Sequence, residues 1–130
     1  MINANYDTNT IENELWQAMR AASVCPMVYA NRRPSSVTKN ADAFIVVRSV
    51  TEISDKTAFG NTICRIEIYV KEVGGVKNST KASAITQLVM DALPVETSKY
   101  LFTYLSGVSL GLDNTGYDVE AVNINVLIKK

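Results

Sequence analysis

Alternation of apolar and polar side chains in two segments limits the folds open to this chain more than any other feature. From Cys64 to Val70 every second residue is apolar, and the residues between them are Arg65, Glu67 and Tyr69. The same pattern returns in the segment 117–128. A period of two over this length predicts β-strands with one buried face, as in an antiparallel sheet.

Further segments supply partners for these two strands. Ala43–Thr51 is a nearly continuous apolar run that predicts a strand and a long hairpin with the first alternating segment. Val24–Tyr29 predicts a short strand, and Pro26 places it at the edge of the sheet. Lys99–Leu112 is apolar and aromatic, and residues 113–116 have the composition of a turn before the last strand.

Helical periodicity occurs in two places, from about Thr10 to Ala22 and from about Ser79 to Leu93, where Pro94 ends the helix. The inner stripe of the second helix comprises Ala82, Ile85, Leu88, Val89, Ala92 and Leu93. Asn78 is suited to cap that helix. The order of elements predicts an α+β domain over residues 1–130, in which two helices pack on one face of a mainly antiparallel sheet with a long β-hairpin arm.

Composition narrows the classes of function. The chain has no histidine, which excludes histidine-dependent triads and zinc sites, and no cofactor motif is present. Thirteen basic residues balance thirteen acidic ones, so no global field favours nucleic acid or membrane. Cys25 and Cys64 are expected to be buried thiols. The polar start and the lack of a long apolar run predict a cytoplasm-like compartment and no membrane contact.

Acidic residues near the last turn leave two interpretations open. Asp113, Asp118 and Glu120 lie close together in sequence and could hold a divalent cation, although they lack the spacing of a ligand loop. Solvated turn acids are the alternative. No nucleophile has an evident base beside it, so the sequence predicts a protein that is not an enzyme.

Two local segments have an unusual composition for a protein surface, a basic loop and a hairpin tip that carries an aromatic residue. Arg32, Arg33 and Lys39 give the segment 32–39 three positive charges and no acid. This loop could face a phosphate backbone or an acidic neighbour, or it could be a solvated surface loop. Phe59 lies near the tip of the first hairpin, where an aromatic side chain either folds back or enters a partner.

Apolar residues also fall on strand faces that should meet water. Tyr69 and Leu127 are the clearest examples, and their pattern predicts that neighbouring subunits cover the sheet. We therefore predict that Phe59, Tyr69 and Leu127 contribute to a subunit interface.

The order of these segments resembles the tail-terminator (tail-completion) and neck proteins of tailed bacteriophages. The resemblance is carried by an amphipathic N-terminal helix and a basic, proline-containing loop, followed by two strands, a helix and a long closing strand. The segments that carry it after the loop are Ala43–Val47, Cys64–Val70 and Ala82–Val89. The region 99–117 is longer than this pattern expects.

This resemblance implies a structural subunit of a homo-oligomeric ring, with a hexamer favoured and a dodecamer possible. Such a ring would stack between portal-side connector proteins and tail ring proteins, and DNA would pass through its lumen without specific binding. The implied location is the virion tail or neck, after assembly in the host cytoplasm. In this interpretation the loop bearing Arg32, Arg33 and Lys39 lines the lumen or docks an acidic ring.

Two other classes remain open from the residues alone. One is a small ligand-binding or enzymatic domain that uses Asp113, Asp118 and Glu120 or the tyrosines around Tyr100. The other is a nucleic-acid-binding module that uses the basic loop and exposed aromatic residues of the sheet.

Overall fold

The computed structural model describes residues 8–32, 41–50 and 61–129. In these ranges the elements, in chain order, are α1 (Thr8–Ala21), β1 (Val28–Ala30), β2 (Ala43–Ser49), β3 (Asn61–Lys71), α2 (Ser79–Ala92), β4 (Val95–Glu96), β5 (Tyr100–Leu112) and β6 (Tyr117–Ile128).

The six strands form one sheet in the order β1-β2-β3-β6-β5-β4. All neighbouring strands are antiparallel except β1, which runs parallel to β2. The predicted α+β class and mainly antiparallel sheet are confirmed. The edge position of the strand after Pro26 is also confirmed, because β1 is the outermost strand on its side.

Both helices pack on the same face of the sheet and enclose the main core. Ile11, Leu15 and Met19 of α1 and Ile85 and Val89 of α2 are buried there. They meet the inward residues of the central strands, such as Ile45, Ile66 and Ile124. In β3 and in residues 122–128 of β6 the alternation that predicts the strands therefore marks the face that the helices cover.

The boundaries of α2 follow from local chemistry. The Oδ1 atom of Asn78 accepts a hydrogen bond from the backbone N–H of Lys81 at 3.3 Å, so the predicted cap is confirmed. The helix ends at Ala92, two residues before Pro94. Leu88 departs from its predicted inner position, since it is 45% exposed and lies at the margin of the buried stripe.

β5 continues to Leu112 without a break, paired to β6 along its length. Two irregularities interrupt the register, one between Tyr104 and Ser106 and one between Ser109 and Gly111. Each inserts one extra residue, Leu105 or Leu110, and so interrupts the alternation in the sequence. Gly111, beside the second irregularity, adopts a positive φ of 81°.

Neither described helix is long and apolar enough to cross a membrane.

Candidate interaction surfaces

The sheet face opposite the helices carries a second, aromatic cluster. The rings of Phe44 and Tyr69, on adjacent strands, stack with their centroids 4.5 Å apart. Tyr117 meets the same Phe44 ring edge-on at 5.2 Å, and its hydroxyl donates a hydrogen bond to the carbonyl of Ala41 at 2.6 Å. The Tyr29 ring of β1 is also edge-on to the Phe44 ring, with the two centroids 6.3 Å apart. These ring contacts pack side chains of β1, β2, β3 and β6 against one another at one end of this face.

Beyond the aromatic cluster, polar side chains form a connected network across the same face. Glu67 is buried and accepts hydrogen bonds from Arg48 Nε at 2.7 Å and from the Tyr69 hydroxyl at 2.9 Å. Arg65 lies 3.9 Å from the other Glu67 oxygen and donates to Asn123 Oδ1 at 3.1 Å. Asn123 in turn donates to Ser106 of β5. The network therefore joins β2, β3, β6 and β5.

The buried carboxylate of Glu67 sets the protonation of its neighbours. Burial alone would lower the pKa of Arg48, but the hydrogen bond and charge of Glu67 outweigh it and raise that pKa. Burial, and then the contact with Glu67, raises the pKa of Tyr69. Arg48 therefore stays charged and Tyr69 stays a donor near neutral pH. Because Arg48 and Arg65 are direct cross-strand partners, Glu67 also separates two like charges.

The outer edge of β5 is the most unusual surface of the described chain. β4 pairs with β5 only at Leu101 and Phe102, and past that point no other described strand pairs with the outer edge. The 13 residues of β5 include no charged side chain. Its exposed large apolar residues are Tyr104, Leu105, Val108, Leu110 and Leu112. Long, uncharged, apolar edges are sites of strand pairing or association.

At the opposite edge of the sheet the outward carbonyls of β1 are hydrogen-bonded. Ile45 donates to the Met27 carbonyl and Asn31 donates to the Val47 carbonyl, so these two residues flanking β1 face β2. The carbonyls of Val28 and Ala30 then point outward, by the alternation of a strand. The Trp16 indole N–H donates a hydrogen bond to the Val28 carbonyl at 2.7 Å. The backbone N–H of Arg32 donates to the Ala30 carbonyl at 2.9 Å.

A cleft of about 270 Å³ lies between α2 and the β5–β6 hairpin. Thr86 and Met90 form its helix side, and Tyr104, Gly107 and Val122 form much of its sheet side. Glu120 also lines it and forms an ion pair with Lys77. This cleft is partly apolar, and its lining contains a single carboxylate, which is paired.

The structure places the predicted interface residues in different settings. Leu127 is 41% exposed at the far end of β6, opposite Leu101 of β5. Tyr69 is half-buried in the aromatic cluster, so only part of its side chain is available to a neighbour. Phe59 lies outside the described residues, as do Arg33 and Lys39. Arg32 is exposed and is the second residue after β1.

The candidate acidic residues are not brought together. Asp113 accepts hydrogen bonds from Thr115 and from the backbone N–H of Tyr117, which organises the β5–β6 turn. Glu120 is paired with Lys77. Within residues 8–32, 41–50 and 61–129 no group of three acidic or cysteine side chains could hold a metal ion. Tyr100 is fully buried in the main core, so it lines no open site.

Two features of these surfaces are not evident from the sequence. The network around Glu67 depends on which strands are neighbours, and its sequence signal is limited to polar residues at alternate positions of β3. The uncharged character of β5 is visible in the sequence, but the length of outer edge that no described strand pairs with depends on the shortness of β4.

No protein-family model and no curated protein matches the chain. Among solved structures, the chain is similar to one described as "Virion of native gene transfer agent (GTA) particle". The TM-score is 0.61 and the identity 18%, and the match covers 89% of this chain and 92% of the other. At this identity the similarity shows a shared fold.

Proposed function

We propose that this protein is a structural, non-enzymatic subunit of a phage-like virion, and that it acts as a ring-forming tail terminator or head-to-tail connector. The observation that carries the proposal is the fold match with a chain of a gene transfer agent virion, which extends over nearly all of both chains. The order of elements, which resembles tail-completion and neck proteins, supports it independently.

The surfaces of the chain suit a subunit that works through protein contacts. An uncharged edge strand, an exposed Leu127 and the half-buried rings of Tyr29 and Tyr69 offer apolar area on several sides of one sheet. The cleft beside α2 lacks an unpaired charged group among its lining residues. A catalytic site would need convergent polar groups, whereas an assembly subunit needs complementary apolar surfaces.

The proposed assembly is a homo-oligomeric ring, hexameric or dodecameric, between portal-side and tail ring proteins. DNA passes through its lumen without sequence-specific contact, in keeping with a net charge of zero. Arg32, Arg33 and Lys39 are the candidates for the lumen or for docking on an acidic ring.

Leu127 gives the first test of the ring. Leu127→Asp places a charge on the predicted interface and is expected to reduce the assembled mass measured by light scattering. Leu88→Asp is the matched control, because Leu88 has a similar exposure of 45% but lies on α2. Equal assembly of the two variants would contradict the interface role of Leu127.

The hairpin tip and the basic loop are tested separately. Phe59→Asp is expected to weaken assembly, while the double variant Arg32→Glu with Arg33→Glu is expected to leave the folded subunit intact. Thermal unfolding monitored by circular dichroism checks that each variant is folded. Normal ring formation by the Phe59 variant would remove that residue from the interface.

A further inference from the structure

We propose that a row of polar side chains on the sheet face opposite the helices binds the phosphodiester backbone of DNA through Arg48 and Arg65. Together with Asn123 and Ser106 these residues are called the outer row. The inference deepens the proposed function and rests on it for the source of the DNA, because it assigns the face that meets the passing duplex. The contact itself belongs to the subunit and can be measured without a virion.

Strand register brings the outer row together. Arg48 of β2 is the direct cross-strand partner of Arg65 of β3, which is the partner of Asn123 of β6. Asn123 is in turn the partner of Ser106 of β5. Neighbouring strands lie about 4.8 Å apart, so the row extends roughly 14 Å in a line across the sheet. Polar groups at regular steps suit a chain of repeating charges better than a single carboxylate.

Both arginines of the outer row keep donors for an external anion. The Nε atom of Arg48 donates to Glu67 at 2.7 Å, and the Nε atom of Arg65 donates to Asn123 at 3.1 Å. Arg48 is also within hydrogen-bonding reach of the Tyr69 hydroxyl. A guanidinium carries five N–H donors in a rigid fork, so these contacts with described residues leave donors on the terminal nitrogens of both side chains. The two side chains are 37% and 29% exposed, which lets a ligand reach them from solvent.

Glu67 orients the two arginines without neutralising both. Its side chain is 10% exposed and contacts Arg48 at 2.7 Å and Arg65 at 3.9 Å. Two guanidinium groups therefore share one carboxylate, and one positive charge stays uncompensated. Like charges directly opposite each other on neighbouring strands are unfavourable, and a phosphodiester supplies the missing negative charge. Because the protein already holds the arginines in place, binding costs little side-chain entropy.

Charge is distributed unevenly between the two faces of the sheet. Among the outward positions of β2, β3, β5 and β6, Glu67 is the only acidic residue, whereas Lys71 adds a third basic side chain at the end of β3. Asp118 and Glu120 of β6 fall on the helix side by the alternation of the strand, and Glu120 pairs there with Lys77. The outer face thus has an excess of positive charge, although the chain has none, and it complements a polyanion.

The uncharged neighbours of the arginines favour nucleic acid as that polyanion. Asn125 and Thr103, which are cross-strand partners, form the next row on the same face beside Asn123 and Ser106. Asparagine, serine and threonine side chains are, with arginine, the groups that contact phosphate and sugar oxygens in protein–DNA complexes. Such contacts do not depend on base sequence, in keeping with DNA that passes through without specific binding.

The salt dependence of duplex binding tests the contact. The probe is a short fluorescein-labelled DNA duplex, and its fluorescence anisotropy gives the affinity between about 50 and 200 mM salt. Each phosphate contact contributes about −0.9 to the slope of log K against log salt, so Arg65→Gln should make the slope less negative by about 0.9. Arg20→Gln is the matched control, since it removes the same charge from α1 in the helical layer and should keep the wild-type slope. Equal slopes in the two variants would overturn the proposal.

Glu67→Gln gives a test in the opposite direction. The variant keeps an acceptor for Arg48 but removes the negative charge from the cluster. Duplex affinity should rise about threefold, which is the effect of one unit charge at roughly 7 Å in water. Glu14→Gln, the same change on α1, should alter the affinity less. Unchanged or weaker binding in Glu67→Gln would overturn the proposal, because a purely structural role for Glu67 predicts no gain.

Ring assembly, measured in the same samples by light scattering, separates this proposal from the ring function. If Arg65→Gln forms rings and keeps the wild-type salt slope, the phosphate contact is overturned and the ring function stands. If Arg65→Gln loses assembly but keeps that slope, a protein partner occupies this face, which also overturns the proposal. A reduced slope in a protein that never forms rings would uphold the DNA contact and contradict the ring function.

Discussion

At the scale of single residues, Glu12 illustrates a contact on which the fold depends. Its carboxylate is buried, 7% exposed, and accepts the backbone N–H of Ser49 at 2.7 Å. It thereby ties the first turns of α1 to the end of β2. The sequence indicates only that an acidic residue is favourable near a helix start. Its burial follows from the packing of α1 beside β2, which no local pattern contains.

Glu12→Ala should therefore lower the free energy of unfolding by about 1–3 kcal/mol, because the N–H of Ser49 loses its acceptor. Urea denaturation measures the change. Glu14→Ala, two residues further along the same helix, is the control and should have a smaller effect. A loss of stability in the control that equals the loss in Glu12→Ala would contradict the assigned role.

Cys64 gives a second residue-scale prediction, in the pH dependence of stability. Burial raises the pKa of Cys64 from 9.0 to about 12, and the Cys64 thiol donates to the Arg48 carbonyl. Above pH 9.0 the thiol ionises in the unfolded chain first, so the native state is expected to lose stability as the pH rises toward 12. The Cys64→Val variant should lack this thiol-dependent loss of stability. Urea unfolding midpoints of the variant and the wild type, measured from pH 9.0 to about 12, check this.

At the scale of elements, the cap of α2 is a prediction from sequence that the structure confirms. Asn78→Ala should destabilise the protein by about 1 kcal/mol, because the N–H of Lys81 loses its acceptor at the helix start. Asn78→Ser should restore most of that loss, since serine also caps well. Thermal unfolding of the two variants checks this order, and equal destabilisation by both would contradict the capping role.

Most elements could be predicted because burial on one face imposes a period on the sequence. Cys64–Val70 and residues 122–128 alternate because one face of these strands meets the helices, whereas Tyr117, at the start of β6, is buried on the other face. In β5 the bulge residues Leu105 and Leu110 each shift the period, so the pattern weakens although the strand continues. Leu88 was wrongly predicted to face inward, since periodicity alone does not fix how wide the covered stripe is.

At the scale of the whole molecule, the sheet has two unlike edges. At one edge Trp16 and Arg32 bond the outward carbonyls of β1, and at the other no described strand pairs with the uncharged outer side of β5 beyond Phe102. A net charge of zero gives no long-range repulsion between copies. In the proposed assembly, contacts between copies are therefore expected to be governed by local apolar surfaces.

The most direct test of the ring proposal is the native mass of the wild-type protein, followed by negative-stain imaging of the same sample. Closed rings with a central hole and a mass of six or twelve subunits are expected. A protein that never exceeds two subunits at any concentration would contradict the ring-forming function.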